Sequence, residues 1–376
     1  MTDNKLRNIN IHIIKMVSTT KTIKQELVKK NEEHIKFLDS FKFHRHQIQE
    51  REKDESVLYE NKRRFVLMPI KFHEIYDTYK RREALFWTAE ETDLTKDMID
   101  WSKKLGDDEK SFVKKILAIF ASGILTEQHL TEHLSAEVQC PEAKCFYGFQ
   151  IMVDNIHEEV YSLVIDSLVK DKDELESMFD GIEEDPYVQK KRDFAKRWFN
   201  IEIALYGEKL VAFAAIQGIF SLISYASIFS LKKRGLMPCL TKVNKIMCRD
   251  HAMHGDFQCL MFAHLKNKIN PQIVEKIIME AAEIEKDSLE GNFLQIEQLG
   301  LDVREMRQMI EFVADNILAG FGNKKHYKVS NPYEHIQKTC LPGNATFFEK
   351  KVSEYQKAGA AVKVDNVISF SMNDDF

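Results

Sequence analysis

The stretch FYGFQIMVDNIHEEVYSLVID, from Phe146 to Asp166, constrains this chain more than any other. Its apolar residues recur at helical spacing. Positions three, four and seven apart fall on one helix face, so Asp154, His157 and Tyr161 are predicted to share a wall. An acid, an imidazole and a phenol then point the same way. Met247 to His264 repeats the device with His251 and His254, three apart in a second apolar, glycine-poor segment. Two facing helices carrying such pairs can enclose a metal.

Helical periodicity runs through most of the remaining chain. The expected helices are Phe72 to Leu85, Leu94 to Leu105, Glu109 to Val138, Glu142 to Lys170, Pro186 to Phe199, Glu202 to Lys232, Leu240 to Lys268, Pro271 to Leu299 and Asp302 to Gly320. Pro141, Pro186, Pro238 and Pro271 stand at or near their starts, where a missing N–H is harmless. Several exceed the usual length of about 11 to 12 residues, and hardly any strand pattern accompanies them. The fold class is therefore all-α, a bundle of long helices. Residues 1–64 read as a charged N-terminal arm with a possible helix near Ile23 to Leu38, residues 65–345 as the helical domain and residues 346–376 as a tail.

A chain of 376 residues with 44% apolar content can bury a large core. Its net charge of −5 comes from many charges of both signs, which gives no sign of a nucleic-acid partner. Six cysteines without a C-x-x-C pair point to reduced thiols in a cytoplasmic protein. No signal peptide is expected, because the apolar patch Ile9 to Val17 is interrupted by Asn10, His12 and Lys15. Leu210 to Leu231 is uncharged and long enough for a membrane span. Gln217, Tyr225 and several serines within it favour a helix buried inside the bundle, and no membrane partner is expected.

Bundles that bind two metal ions use one Glu from each of two helices and a Glu-x-x-His pair from each of two others. Here Asp93 offers one carboxylate, although an Asp just before Leu94 also makes an ordinary helix cap. Asp154-x-x-His157 offers one pair. Gln217 sits mid-helix where a carboxylate is wanted, and His251-x-x-His254 has an imidazole in the acid's place. Taken singly, such pairs are often surface pairs or satisfied core groups, and Tyr161 by itself reads as a core or rim tyrosine.

Several longer stretches carry a resemblance: FWTAEE from Phe86, CFYG from Cys145, DNIHEEVYSLVID from Asp154, YGEKLVAFAA from Tyr206, ASIFSLKKRGLMP from Ala226, CRDHAMHGDFQCLMF from Cys248, NATFFEKKVSEYQ from Asn344 and the final FSMNDDF. In this order, from Phe65 to Phe376, the chain resembles the small subunit of class I ribonucleotide reductase of the eukaryotic type. The resemblance implies a ferritin-like fold and a di-iron centre that oxidises a tyrosine to a radical. That radical passes to a large subunit, which reduces ribonucleotides to deoxyribonucleotides for DNA synthesis. By position, Tyr161 matches the radical tyrosine, and Asp93, His157 and His254 match metal ligands. Asp250 matches the acid joining a metal-bound histidine to the radical path, Tyr76 stands for the path's tryptophan and Tyr355 for its tail tyrosine. The end, with Phe370, Met372, Asp374, Asp375 and Phe376, matches the segment that docks on the large subunit.

Asp154, Gln217 and His251 stand where the family has glutamates, and Ser221 and Tyr225 where it has phenylalanines around the radical. Four carboxylates against two dipositive ions become two, Asp93 and Asp154, so a second ion is expected to be strongly disfavoured. One ion, zinc or iron(II), or no ion at all, fits the donors better. The expectation is an auxiliary small subunit that forms little radical at Tyr161 and pairs with an intact small subunit, as a homodimer or a heterodimer, and with the large subunit. The alternatives are a radical-generating subunit with an altered metal site, and a ferritin-like storage or interaction protein.

Overall fold

The computed structural model describes residues 28–121, 127–200 and 202–333, and among them every long regular element is a helix. Helix α1 covers 28–39, followed by α2 (Lys42–Glu52), α3 (His73–Glu83), α4 (Thr95–Lys103), α5 (Asp107–Ala121), α6 (Glu127–Glu137) and α7 (Pro141–Leu168). Then come α8 (Lys172–Glu183), α9 (Pro186–Trp198), α10 (Tyr206–Ile219), α11 (Leu222–Lys233), α12 (Pro238–Ala263), α13 (Pro271–Gly291), α14 (Phe293–Gln298) and α15 (Val303–Gly320). The all-α expectation holds. Helices α7, α10, α12 and α13 form the centre, with α10 packed against α12, α13 and α15, and α7 against α3, α5 and α6.

The apolar run expected to be a single buried helix is buried apart from the half-buried Phe229, yet it breaks into α10 and α11 at Phe220 and Ser221. A break inside a core leaves backbone groups without partners, and these must be satisfied. Lys191 of α9 donates to the Phe220 carbonyl at 2.5 Å, and Glu285 of α13 accepts the Ile223 N–H at 3.2 Å. The two side chains pair with each other at 2.6 Å. Burial raises Glu285 above the usual carboxylate range despite Lys191 beside it.

Helix α12 is capped from outside. Pro238 fills its first turn, and Asp97 of α4 accepts from Cys239 N at 2.9 Å and Leu240 N at 2.7 Å. Asp100 accepts from Met237 N at 3.0 Å, where the backbone turns left-handed with φ 50°. This is a helix N-terminus satisfied by carboxylates, with the macrodipole adding to the attraction.

Three expectations are corrected. Residues 28–64 are no loose arm: Leu38, Ile48 and Val57 are core residues, and Arg45 grips the buried Glu208 at 2.8 and 2.9 Å. Glu55 accepts from the backbone of Lys266 and Asn267. The helix expected over Pro271 to Leu299 is divided between α13 and α14, while α5 and α6 cover the described parts of the helix expected over Glu109 to Val138. Helix α8 was not foreseen, because its narrow stripe of Leu175, Met178, Phe179 and Ile182 is diluted by acidic residues. The tail and the residues before 28 lie outside the described residues, as does the start of the helix expected from Ile23.

Candidate functional site

Helices α7 and α12 run antiparallel along one seam. At one end Phe146 stacks on Phe257 with ring centroids 3.6 Å apart, and Tyr147 donates its hydroxyl to Gln258 Oε1 at 2.9 Å. Rising along α7 means descending along α12. Asp154 therefore meets His254, with Oδ1 3.7 Å from Nδ1, and His157 meets Asp250 and His251. The apolar pair at the end fixes the register that gathers the polar groups. Thr131 of α6 closes the side, 3.5 Å from Asp154 Oδ2, and takes a hydrogen bond from Gln150 at 3.1 Å.

Asp250 is the hub. It is completely buried, and its Oδ2 accepts from Trp87 Nε1 at 2.9 Å and His157 Nε2 at 3.2 Å and lies 3.0 Å from Arg82 Nη2. Its Oδ1 accepts from Arg249 Nε at 3.2 Å and Nη2 at 3.0 Å. Burial pushes this carboxyl up, but the His157 hydrogen bond and the charges of Arg82 and Arg249 outweigh it and hold Asp250 well below the usual range. A carboxylate can only accept, so His157 presents its N–H to Asp250 and keeps its lone pair on Nδ1. Burial lowers His157 to about 4 despite that contact, leaving it neutral.

His254 is completely buried, and neither ring nitrogen has a hydrogen-bond partner among the described residues. Burial, then Arg82 and His251, push it well below its ordinary value. His251 is joined at Nδ1 to the Tyr225 hydroxyl at 3.1 Å. Gln217 is buried in the last turn of α10, near the break, and Ser221 is buried at the start of α11. Tyr161, one turn beyond His157, stacks on Phe120 with centroids 4.8 Å apart and planes at 11°. Phe120 in turn lies 5.2 Å from Tyr225.

The structure brings together Asp154, His157, Asp250, His251 and His254, and it leaves out two residues expected with them. Asp93 is exposed on the surface, where Oδ1 accepts from Thr95 N at 3.0 Å and Thr95 Oγ1 at 2.6 Å. Those bonds, the hydroxyl first, hold it below the usual carboxylate range. It leads into α4 and does not reach the seam. Tyr76 is half-buried with its ring 6.0 Å from Tyr79, and the indole on Asp250 belongs to Trp87 instead. Tyr355 and the terminal segment Phe370 to Phe376 lie outside the described residues.

Two participants were missed. Trp87 sits in FWTAEE, a stretch noted only for its resemblance, although a buried carboxylate must find donors and few indoles are available. Arg82 stands in the charged run Lys80-Arg81-Arg82-Glu83, yet it is completely buried. Nothing local separates it from its exposed neighbours.

These residues do not fit a pair of metal ions. Among the described residues no three Asp, Glu, His or Cys side chains are grouped so as to hold one. His251 Nδ1 faces Tyr225, and a guanidinium already carries positive charge into the seam. A dipositive ion placed here would meet that charge in a dry interior.

A family model described as "Ribonucleotide reductase, small chain" matches residues 64–332. The chain is 51% identical over 358 residues to ribonucleoside-diphosphate reductase small chain 1 of Saccharomyces cerevisiae, covering 94% of this chain and 89% of that one. It is 49% identical over 335 residues to the corresponding small chain of Schizosaccharomyces pombe, covering 87% and 85%. Among solved structures it is similar to the ribonucleotide reductase Rnr4 homodimer from Saccharomyces cerevisiae, with 47% identity and a TM-score of 0.76 over 86% of this chain and 99% of that one. A family model matching residues 64–332 and relatives about half identical over most of its length show that this chain belongs to the ribonucleotide reductase small-chain family.

Proposed function

We propose that this chain is an auxiliary small subunit of ribonucleoside-diphosphate reductase, an oxidoreductase. It supports the reduction of ribonucleotides beside an intact small subunit and forms little or no tyrosyl radical itself. The observation that carries this reading is the donor set of the seam. Asp154 is the carboxylate present among the expected ligands there, Asp93 is on the surface, and Gln217 and His251 bring no negative charge. By position, Tyr225 and Ser221 put hydroxyls where the family has phenylalanines around its radical tyrosine, and a phenoxyl radical is best kept by a dry apolar wall. The chain's role is then to stabilise its partner and to help hold the large subunit through its acidic, aromatic C-terminal peptide. The reduced cysteines fit a cytoplasmic setting.

A second reading, radical generation at Tyr161 with an altered metal site, is favoured by one feature. The hydrogen-bonded series Trp87, Asp250, His157 is continuous and buried, as a route for an electron and a proton requires. Loading the chain with iron(II) and oxygen, alone and with an intact small subunit, separates the two. The auxiliary reading expects under one iron per chain and no tyrosyl electron paramagnetic resonance signal from the chain alone. A strong signal with two irons establishes the second reading.

A further inference from the structure

Arg82 is unlike the residues around it. Lys80 and Arg81 of the same helix are exposed, whereas Arg82 is 0% exposed and turns into the seam. Its Nη2 lies 3.0 Å from Asp250 Oδ2, and its guanidinium carbon lies 5.5 Å from the centre of the Phe149 ring. Asp154 is close enough to act on its charge, and Arg82 in turn acts on both His157 and His254. Its Nε and Nη1 have no hydrogen-bond partner among the described residues. An arginine selected for its fork would use both edges on a carboxylate. This one brings a charge and a single contact.

Formal charges make the point sharper. Asp154 and Asp250 carry two negative charges, while Arg82 and the partly exposed Arg249 carry two positive ones, so the seam is neutral as it stands. Without Arg82, a buried carboxylate would be left short of a counter-charge, which is among the costliest defects a core can hold.

We propose that Arg82 is the resident cation of this seam: it supplies the positive charge that a metal ion would otherwise bring, so the chain folds and keeps its seam closed without one. The inference rests on the metal-poor reading above, and the two fail in different ways.

The test uses the full chain and the variants Arg82→Met, which keeps the stem and removes the charge, Arg82→Lys, Asp250→Asn and Arg82→Met with Asp250→Asn. Arg82→Met is expected to lower the melting temperature at neutral pH by roughly 5–10 °C. Asp250→Asn in that background recovers more than half of the loss, whereas a packing defect would not respond to a change of charge. Arg82→Lys keeps most of the wild-type value. With cobalt(II) as the probe, Arg82→Met gains visible d–d absorption that the wild type lacks. Should Arg82→Met alone not fold, the double variant and Arg82→Lys must fold for the proposal to stand. An Arg82→Met chain that melts with the wild type, or a double variant whose losses simply add, overturns the role of Arg82. Two irons per chain in the wild type overturns the metal-poor reading instead.

Discussion

Two of the clusters of buried charge in this bundle are arranged differently. At the break between α10 and α11, Lys191 and Glu285 each hold a backbone group that the break exposed, and they neutralise one another. At the seam of α7 and α12, Asp250 gathers side chains: an indole, an imidazole and two guanidinium groups. The first cluster repairs the main chain, whereas the second is held side chain to side chain, with Arg249 Nη2 also donating to the Leu85 carbonyl at 3.4 Å. His254, enclosed beside it without a hydrogen-bond partner among the described residues, marks the same contrast. Polar groups that repair nothing in the fold are the ones kept for chemistry or inherited from it.

The contrast is testable by how much each cluster matters to stability. Glu285→Ala strands a buried ammonium and an N–H at once. It should cost about 3–5 kcal/mol in urea unfolding, and a loss below about 1 kcal/mol would mean the break has other support.

Acid should act next, and on the seam. His157 has a folded value of about 4 against an ordinary 6.5, so between those limits the unfolded chain takes up a proton that the folded chain refuses. The stability from this group is complete above pH 6.5, declines as pH falls and is gone below 4, amounting to about 3 kcal/mol. His157→Gln should flatten that part of the pH profile measured by thermal melting. If the profile is unchanged, His157 is not held neutral.

Asp97→Ala removes the shared acceptor at the start of α12, where two N–H groups converge. A loss of about 1–3 kcal/mol is expected, with the pH profile through 4 to 6.5 retained. Tyr225→Phe deletes one hydroxyl from the seam and should change stability by about 1 kcal/mol or less. If Tyr225 is what spoils the surroundings of Tyr161, this variant shows more tyrosyl signal than the wild type when both are loaded beside an intact small subunit. Asp93→Ala should do least, leaving the metal content unaltered. A loss of metal on that change would return Asp93 to the site.

Much of the central fold was legible because α7 and α12 carry their signals locally. Apolar spacing and an initial proline placed them at Glu142 to Lys170 and Leu240 to Lys268, close to the observed Pro141–Leu168 and Pro238–Ala263. The grouping of Asp154 and His157 with His251 and His254 followed from the same spacing. What stayed hidden depends on residues distant in sequence. Nothing at Phe220 or Ser221 signals a break, since the groups that permit it come from α9 and α13. Asp93 and Asp97 are both acids at the head of α4. The first binds its own Thr95, in keeping with the helix-cap reading of the sequence, and only the fold shows that the second serves α12. Arg82 and Trp87 reach Asp250 because α3 and the segment after it lie across the seam, a fact no periodicity contains.

The stacked Phe146 and Phe257 carry a consequence for how such a chain can change over time. One residue inserted between Phe149 and Asp154 would swing every later side chain of α7 by about 100°, turning Asp154, His157 and Tyr161 away from α12 together. Point replacements such as Gln217 or Tyr225 alter the pocket one group at a time and leave the helices in step. The chemistry is free to erode letter by letter, while the length of the rod between the aromatic lock and the pocket is not free to change at all.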